Sequence, residues 1–129
     1  MCGITGSHGK ADGAALVQTQ RMTAALAHRG PDAEGHWTDD NHVVLGHRRL
    51  SILDTSQGAN QPMTSCCGRY ILAFNGEVYN YQELKQELDY PFQTTGDSEV
   101  VLAAFKAWGK AALQRFNSMF AIALWDTQE

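Results

Sequence analysis

A cysteine stands at position 2, behind a single methionine. If Met1 is removed, one residue carries both a thiol and a free α-amino group. The thiol is a nucleophile. A free α-amino group titrates at about 7.7–8.0, so near pH 7 a useful fraction is neutral and can take the thiol proton. No distant histidine is then required. A small hydrophobe in a first strand is the plainer use of such a cysteine, so the reading depends on what else the chain offers. Asn75-Gly76 offers two hydrogen-bond donors at one place, a side-chain amide and a backbone N–H. Two donors can hold the oxyanion of a tetrahedral intermediate, and losing one costs about 10²–10³ in rate. The same dipeptide between apolar runs is also a strong hairpin-turn signal. Arg49 brings a planar fork that grips both oxygens of a carboxylate. Asp97 follows Gly96 and precedes a helical pattern, so it either caps that helix or receives an ammonium group. As a set, these groups suit attack on a side-chain carbonyl of an α-amino acid. Glutamine is such a substrate.

The elements that must position these groups follow from period and punctuation. Cys2 to Ser7 reads as a short first strand. Asp12 to Leu26 reads as a helix with Leu16, Met22, Ala25 and Leu26 as its apolar residues. His28 and Arg29 suit the negative end of its dipole, Gly30 suits the residue beyond its end, and Pro31 stops it. Val43 to Ile52 reads as a strand. Alternation puts Arg48 on one face with Val44 and Gly46, and Arg49 on the other with Val43, Leu45 and His47. Gln57 to Gly68 reads as a loop. Arg69 to Phe74 and Glu77 to Tyr79 read as two strands joined at Asn75-Gly76, and Tyr81 to Leu88 as a short polar helix. Val101, Ala104, Phe105 and Trp108 fall at helical spacing within Ser98 to Trp108, and Gly109 ends that helix. Met119 to Trp125 is nearly all apolar and is expected to be a strand covered on both faces. With nothing after it to cover it, the domain is expected to be incomplete at its C-terminal side.

Composition narrows the class. The chain has 129 residues, 43% hydrophobic, with a net charge of −4. That size suits one domain or a piece of one. The negative balance argues against nucleic acid and anionic membranes as partners. No apolar run is long enough to span a bilayer and no leader-like segment opens the chain, so a cytoplasmic home is expected. Three cysteines, two of them vicinal at Cys66-Cys67, make a poor disulfide framework. The scattered histidines leave no spacing suited to zinc, so no metal is expected.

Several segments, in order, resemble the glutaminase domain of glutamine-dependent asparagine synthetases. They are Met1-Cys2-Gly3-Ile4, His28-Arg29-Gly30-Pro31-Asp32, Gly46-His47-Arg48-Arg49-Leu50-Ser51-Ile52, Gln61-Pro62-Met63, Phe74-Asn75-Gly76-Glu77-Val78-Tyr79-Asn80, Thr95-Gly96-Asp97-Ser98-Glu99-Val100 and Met119-Phe120-Ala121-Ile122-Ala123-Leu124-Trp125-Asp126. These domains are class II glutamine amidotransferases of the N-terminal-nucleophile hydrolase type. The resemblance covers the whole chain, 1–129. It implies an α+β fold, a four-layer α/β/β/α sandwich. It implies that Cys2 is the nucleophile once Met1 is gone, and that Asn75 and Gly76 form the oxyanion hole. Arg49 would bind the glutamine carboxylate and Asp97 its ammonium. Glu77 would help through its backbone and by closing the site. No cofactor is implied for the glutaminase step. ATP and Mg belong to a C-terminal synthetase domain, the implied partner, whose motifs this sequence lacks. A homodimer is a further compatible partnership. Ammonia would pass to activated aspartate in such enzymes. A surface-glycan sugar acid as acceptor, or a non-catalytic glutamine-binding remnant, are the alternative readings.

Overall fold

Two three-stranded antiparallel sheets face one another in the computed structural model, which describes residues 1–129. The first has β1 (Gly3–His8), β3 (Val43–Arg49) and β2 (Ala33–Thr38) in that order. Gly3 pairs with Arg48, and Ala33 with Arg49. The second has β4 (Met63–Thr64), β5 (Tyr70–Val78) and β6 (Ser118–Asp126). Met63 pairs with Leu72, and Tyr70 with Asp126. Strand alternation sends Val43 and Leu45 of β3 and Ile71 of β5 into the layer between the sheets, flanked by Trp37, Ala123 and Trp125. The opposite face of β5, with Leu72, Phe74 and Val78, packs under α2 (Tyr81–Glu87) and α3 (Asp97–Trp108). Helix α1 (Gly13–Ala25) covers the outer face of the first sheet. The layers therefore run α/β/β/α, as the resemblance implied.

The α1 contact is polar rather than apolar. Thr19 and Thr23 are its buried residues, while Leu16, Met22 and Leu26 are half-buried and Ala25 is exposed. Thr23 Oγ1 lies 2.7 Å from Thr5 Oγ1, and Thr19 Oγ1 lies 3.3 Å from Ser7 Oγ. Thr23 also returns a hydrogen bond to the Thr19 carbonyl at 2.8 Å. These short side chains let the helix approach the sheet closely. A Cβ at Gly46 would stand 2.2 Å from Thr23 Oγ1.

Four expectations are corrected. Asn75-Gly76 is not a turn: β5 runs unbroken through it, because Asn75 and Gly76 pair with Ala121 and Phe120 of β6. Gly30 is not a left-handed helix cap, since α1 ends at Ala25 and Gly30 has no positive φ. It is glycine because a Cβ there would meet the Arg48 carbonyl carbon at 2.4 Å. Asp97 is not the cap of α3: Gly96 holds that place and Asp97 is the first helical residue. Strand β6 is not covered on both faces. It is an edge strand, with Met119 52% and Phe120 42% exposed. Strand β2 and the 3-10 turn at Gly109–Gln114 were not anticipated, whereas Gly109 does end α3, at φ 56°.

Candidate active site

Cys2 directly precedes β1. The register that pairs Gly3 with Arg48 sets Cys2 opposite Arg49, both facing the space between the sheets. The Leu50 N–H donates to Cys2 Sγ at 3.4 Å, and the Arg29 Nε–H donates to the Cys2 carbonyl at 3.0 Å. Cys2 is half-buried, its thiol held by Leu50 and its carbonyl by Arg29. Its neighbours form one cleft that includes Cys2, Arg49, Leu50, Asp54, Gln61, Gly76, Glu77, Asp97 and Ser98. Five of the six residues singled out in the sequence therefore share it. Asn75 is not among the lining residues. It lies next to Gly76 with its side-chain oxygen buried and without a partner.

Strand parity separates the two arginines as expected. Arg48 turns outward, donating from Nε to the Gly30 carbonyl at 2.9 Å and from Nη1 to Glu34 at 2.5 Å. Arg49 turns inward and is buried. Its fork is partly committed already. Nη1 donates to the Ser56 carbonyl at 2.7 Å and to Asn60 Oδ1 at 2.9 Å, and Nη2 donates to the Asp54 carbonyl. Of the five N–H groups of a guanidinium, the Nε–H and one Nη2–H remain for another acceptor. These bonds also shape the 54–60 loop. Asp54 in turn accepts from Thr95 N at 2.8 Å and Thr95 Oγ1 at 3.0 Å, joining that loop to the approach to α3. The Ser56 and Thr95 donors hold the Asp54 carboxyl well below the usual carboxylate range.

Asp97 is buried and accepts from Val78 N at 3.0 Å. Burial pushes its carboxyl up, the Val78 N–H opposes that, and the charge of Glu77 adds to the rise. A buried carboxylate lacking a cation fits a site that receives one.

The β5 edge explains why these groups surround Gly76. In an antiparallel strand the N–H and C=O of one residue point to the same side, and alternate residues point to opposite sides. Leu72 directs its pair toward β4. Beyond Met63 that partner strand has ended. Gln61 occupies the next paired position, and its side chain takes over: Oε1 accepts from Phe74 N at 2.6 Å. The Phe74 carbonyl lies 3.0 Å from His47 Nε2. Four residues on, Val78 N is taken by Asp97. Between these two sealed positions, Gly76 presents its N–H and C=O to the same side, into the cleft. No side chain fits there, since a Cβ at Gly76 would stand 2.4 Å from the Met119 carbonyl oxygen. Gln61 also donates to Ser98 Oγ at 3.2 Å, which ties β5 to the start of α3. Its segment stood out in the sequence without a role. Only the pairing register, continued two residues past β4, reveals one.

Gln61→Leu should leave the Phe74 N–H buried and unsatisfied, a cost of about 1–3 kcal/mol. Urea unfolding should show that loss. Gln61→Glu keeps an acceptor for Phe74 and should recover most of it. Equal stability for the leucine variant and the parent would contradict the clamp.

His47 is 1% exposed, with Nδ1 buried and unpartnered. Burial lowers its pKa from 6.5 to about 4, against the opposing bond to the Phe74 carbonyl, and Arg49 adds to the lowering. The ring is therefore neutral in the fold and protonates more readily when unfolded. Its contribution to stability is complete above pH 6.5 and is lost as pH falls toward 4. The loss approaches roughly 3 kcal/mol. His47→Gln should flatten that part of the stability–pH curve, as read by urea midpoints. A slope unchanged by the substitution would contradict the assignment.

With Cys2 at the head of the edge strand β1, facing the space between the sheets, the α/β/β/α sandwich is a domain of the N-terminal-nucleophile hydrolase type. The fold has a solved counterpart in the glutamine phosphoribosylpyrophosphate amidotransferase of B. subtilis, complexed with ADP and GMP. The TM-score is 0.78 at 22% identity, over 98% of this chain and 35% of that one. The chain belongs to the glutamine amidotransferase domain family, whose model matches residues 1–129. It is 38% identical to asparagine synthetase [glutamine-hydrolyzing] 1 of Bacillus subtilis, over 100% of this chain and 21% of that protein. It is 40% identical to asparagine synthetase B [glutamine-hydrolyzing] of Escherichia coli, over 100% of this chain and 24% of that protein. The chain thus spans between a fifth and a quarter of the length of these relatives. No helix is long and apolar enough to cross a membrane.

Proposed function

We propose that this domain hydrolyses glutamine to glutamate and ammonia through a thioester on Cys2. The observation that carries the reading is the convergence of Cys2, Arg49, Gly76 and Asp97 on one cleft. With Met1 removed, the Cys2 α-amine takes the thiol proton and Sγ attacks the glutamine amide carbon. The oxyanion is held by the Gly76 N–H and by the side-chain amide of Asn75. The proton passes to the leaving nitrogen, ammonia departs, and water then cleaves the γ-glutamyl thioester. Arg49 receives the substrate carboxylate through its two uncommitted N–H groups. Asp97 receives the ammonium, and Glu77, exposed at the mouth, closes the site. The Met1 residue that must leave is 57% exposed, which supports access to it.

In a longer protein with a synthetase domain, the ammonia would amidate ATP-activated aspartate. ATP and Mg would be held there, and no residue of this chain is assigned to them. The test is glutamate release from glutamine by protein whose N-terminus is Cys2. Asp97→Asn should raise the glutamine KM by roughly tenfold to a hundredfold, the scale of 1.5–3 kcal/mol for a hydrogen bond to a charged group. The amide oxygen can still accept from Val78 N, so the fold should hold. Arg48→Ala should leave KM within about twofold, since Arg48 faces away. A larger effect at Arg48 than at Asp97 would overturn the site.

A further inference from the structure

The turn between β4 and β5 carries chemistry that the cleft does not use. Cys66 and Cys67 are adjacent, free and both exposed, and neither lines the cleft. Lys106 of α3 holds its Nζ 3.7 Å from Cys66 Sγ and lies over the Tyr90 ring, 5.5 Å from its centroid. Tyr90 accepts from Cys66 N at 2.9 Å, which fixes the turn against the body of the domain. Ser65 Oγ lies 3.4 Å from Cys67 Sγ. That hydroxyl already accepts from Tyr70 N at 3.0 Å, so its own proton is free to donate to sulfur. One thiol therefore faces a hydroxyl donor and the other an ammonium, both on the solvent side of the fold.

We propose that Cys67 is a site of thiol–disulfide exchange with low-molecular-weight disulfides such as oxidised glutathione. The Cys67 thiolate attacks one sulfur of the disulfide. A Cys67–S–S–R bond forms, the disulfide's own S–S bond breaks, and one thiolate leaves to take a proton from solvent. Cys67 is oxidised and the departing half is reduced. The Ser65 hydroxyl and the Lys106 charge both hold the Cys67 thiol below its ordinary range. Cys66 is placed to attack Cys67 in a second step and release the other half. Closure onto an immediate neighbour is strained, however. Cα atoms across a trans peptide are about 3.8 Å apart, short of the about 4.4–6.8 Å of ordinary disulfides. The mixed disulfide at Cys67 is therefore the product that accumulates.

The experiment uses the whole chain carrying Cys2→Ala, so that the cleft thiol is silent. It is incubated with oxidised glutathione and followed by intact mass and peptide mapping. One glutathione should appear, on Cys67, at a rate about twofold or more above that of an unstructured cysteine peptide. Cys67→Ser should remove the adduct. Cys66→Ser should keep it, and Lys106→Gln should slow it by about twofold. Circular dichroism and thermal midpoints establish that each variant is folded. An adduct on Cys66, a closed Cys66–Cys67 disulfide as the main product, or a rate no faster than the peptide's would each overturn the proposal.

Discussion

Cys2→Ala should reduce glutamine hydrolysis by about 10⁴-fold or more, with the fold and glutamine binding retained. The scale is that of removing a nucleophile whose partners act with it as one unit. The structure gives the reason for separability. The Cys2 side chain makes only weak sulfur contacts with the Leu50 backbone, accepting from its N–H at 3.4 Å and donating to its carbonyl at 3.8 Å, while the Cys2 carbonyl is held by Arg29. Alanine keeps the backbone bond. Glutamate release, trapped thioester and thermal midpoint should be measured together. Loss of the thioester with an unchanged midpoint is the expected pattern. A companion measurement addresses the base: N-terminal mass analysis of active protein should find Cys2 first. Full activity with Met1 retained would defeat the mechanism, because the α-amine would then belong to the wrong residue.

Asn75→Ala should lower kcat by about 10²–10³ and change glutamine KM much less. Its effect on stability is expected to be small or favourable. Were Asn75 a turn residue, its loss would have to appear in folding. Instead it sits mid-strand opposite Ala121, and its side-chain oxygen is buried without a donor. Alanine removes that unsatisfied acceptor, which costs about 1–3 kcal/mol where it stands. Catalysis and stability should therefore move in opposite directions. A fall in the urea midpoint with kcat within about tenfold of the parent would assign Asn75 to the fold and remove it from the chemistry.

What could be read in advance depended on how local each constraint is. The opposite facings of Arg48 and Arg49 follow from the two-residue period of any strand, so one dimension sufficed. The same holds for Gly109, whose positive φ closes α3. Asn75-Gly76 misled because a hairpin signal is local while the pairing that overrides it is distant. Gly76 meets Phe120 across a large sequence separation, and the apolar run that supplies β6 gives no sign of its partner. Strand β2 was missed because Ala33-Glu34-Gly35-His36-Trp37-Thr38 lies on a sheet edge, half-buried, without clear alternation. The α1 seam was missed because threonines 19 and 23 read as polar surface until the glycine and hydroxyls of the sheet are laid beneath them. Gln61 and Asp54 act on backbone groups of other segments, and no spacing along the chain encodes such bonds.

The donor at Gly76 belongs to the main chain, at a gap in an edge that Gln61 and Asp97 close on either side. Every residue type except proline supplies that N–H, yet only glycine fits the space. Ordinary codon exchange therefore cannot remove this donor by itself: any replacement side chain would displace β6 before it silenced the amide. The clean deletion is a chemical one, an ester in place of the Asn75–Gly76 amide, introduced by semisynthesis. It exchanges the N–H for an ester oxygen and adds no side chain against β6.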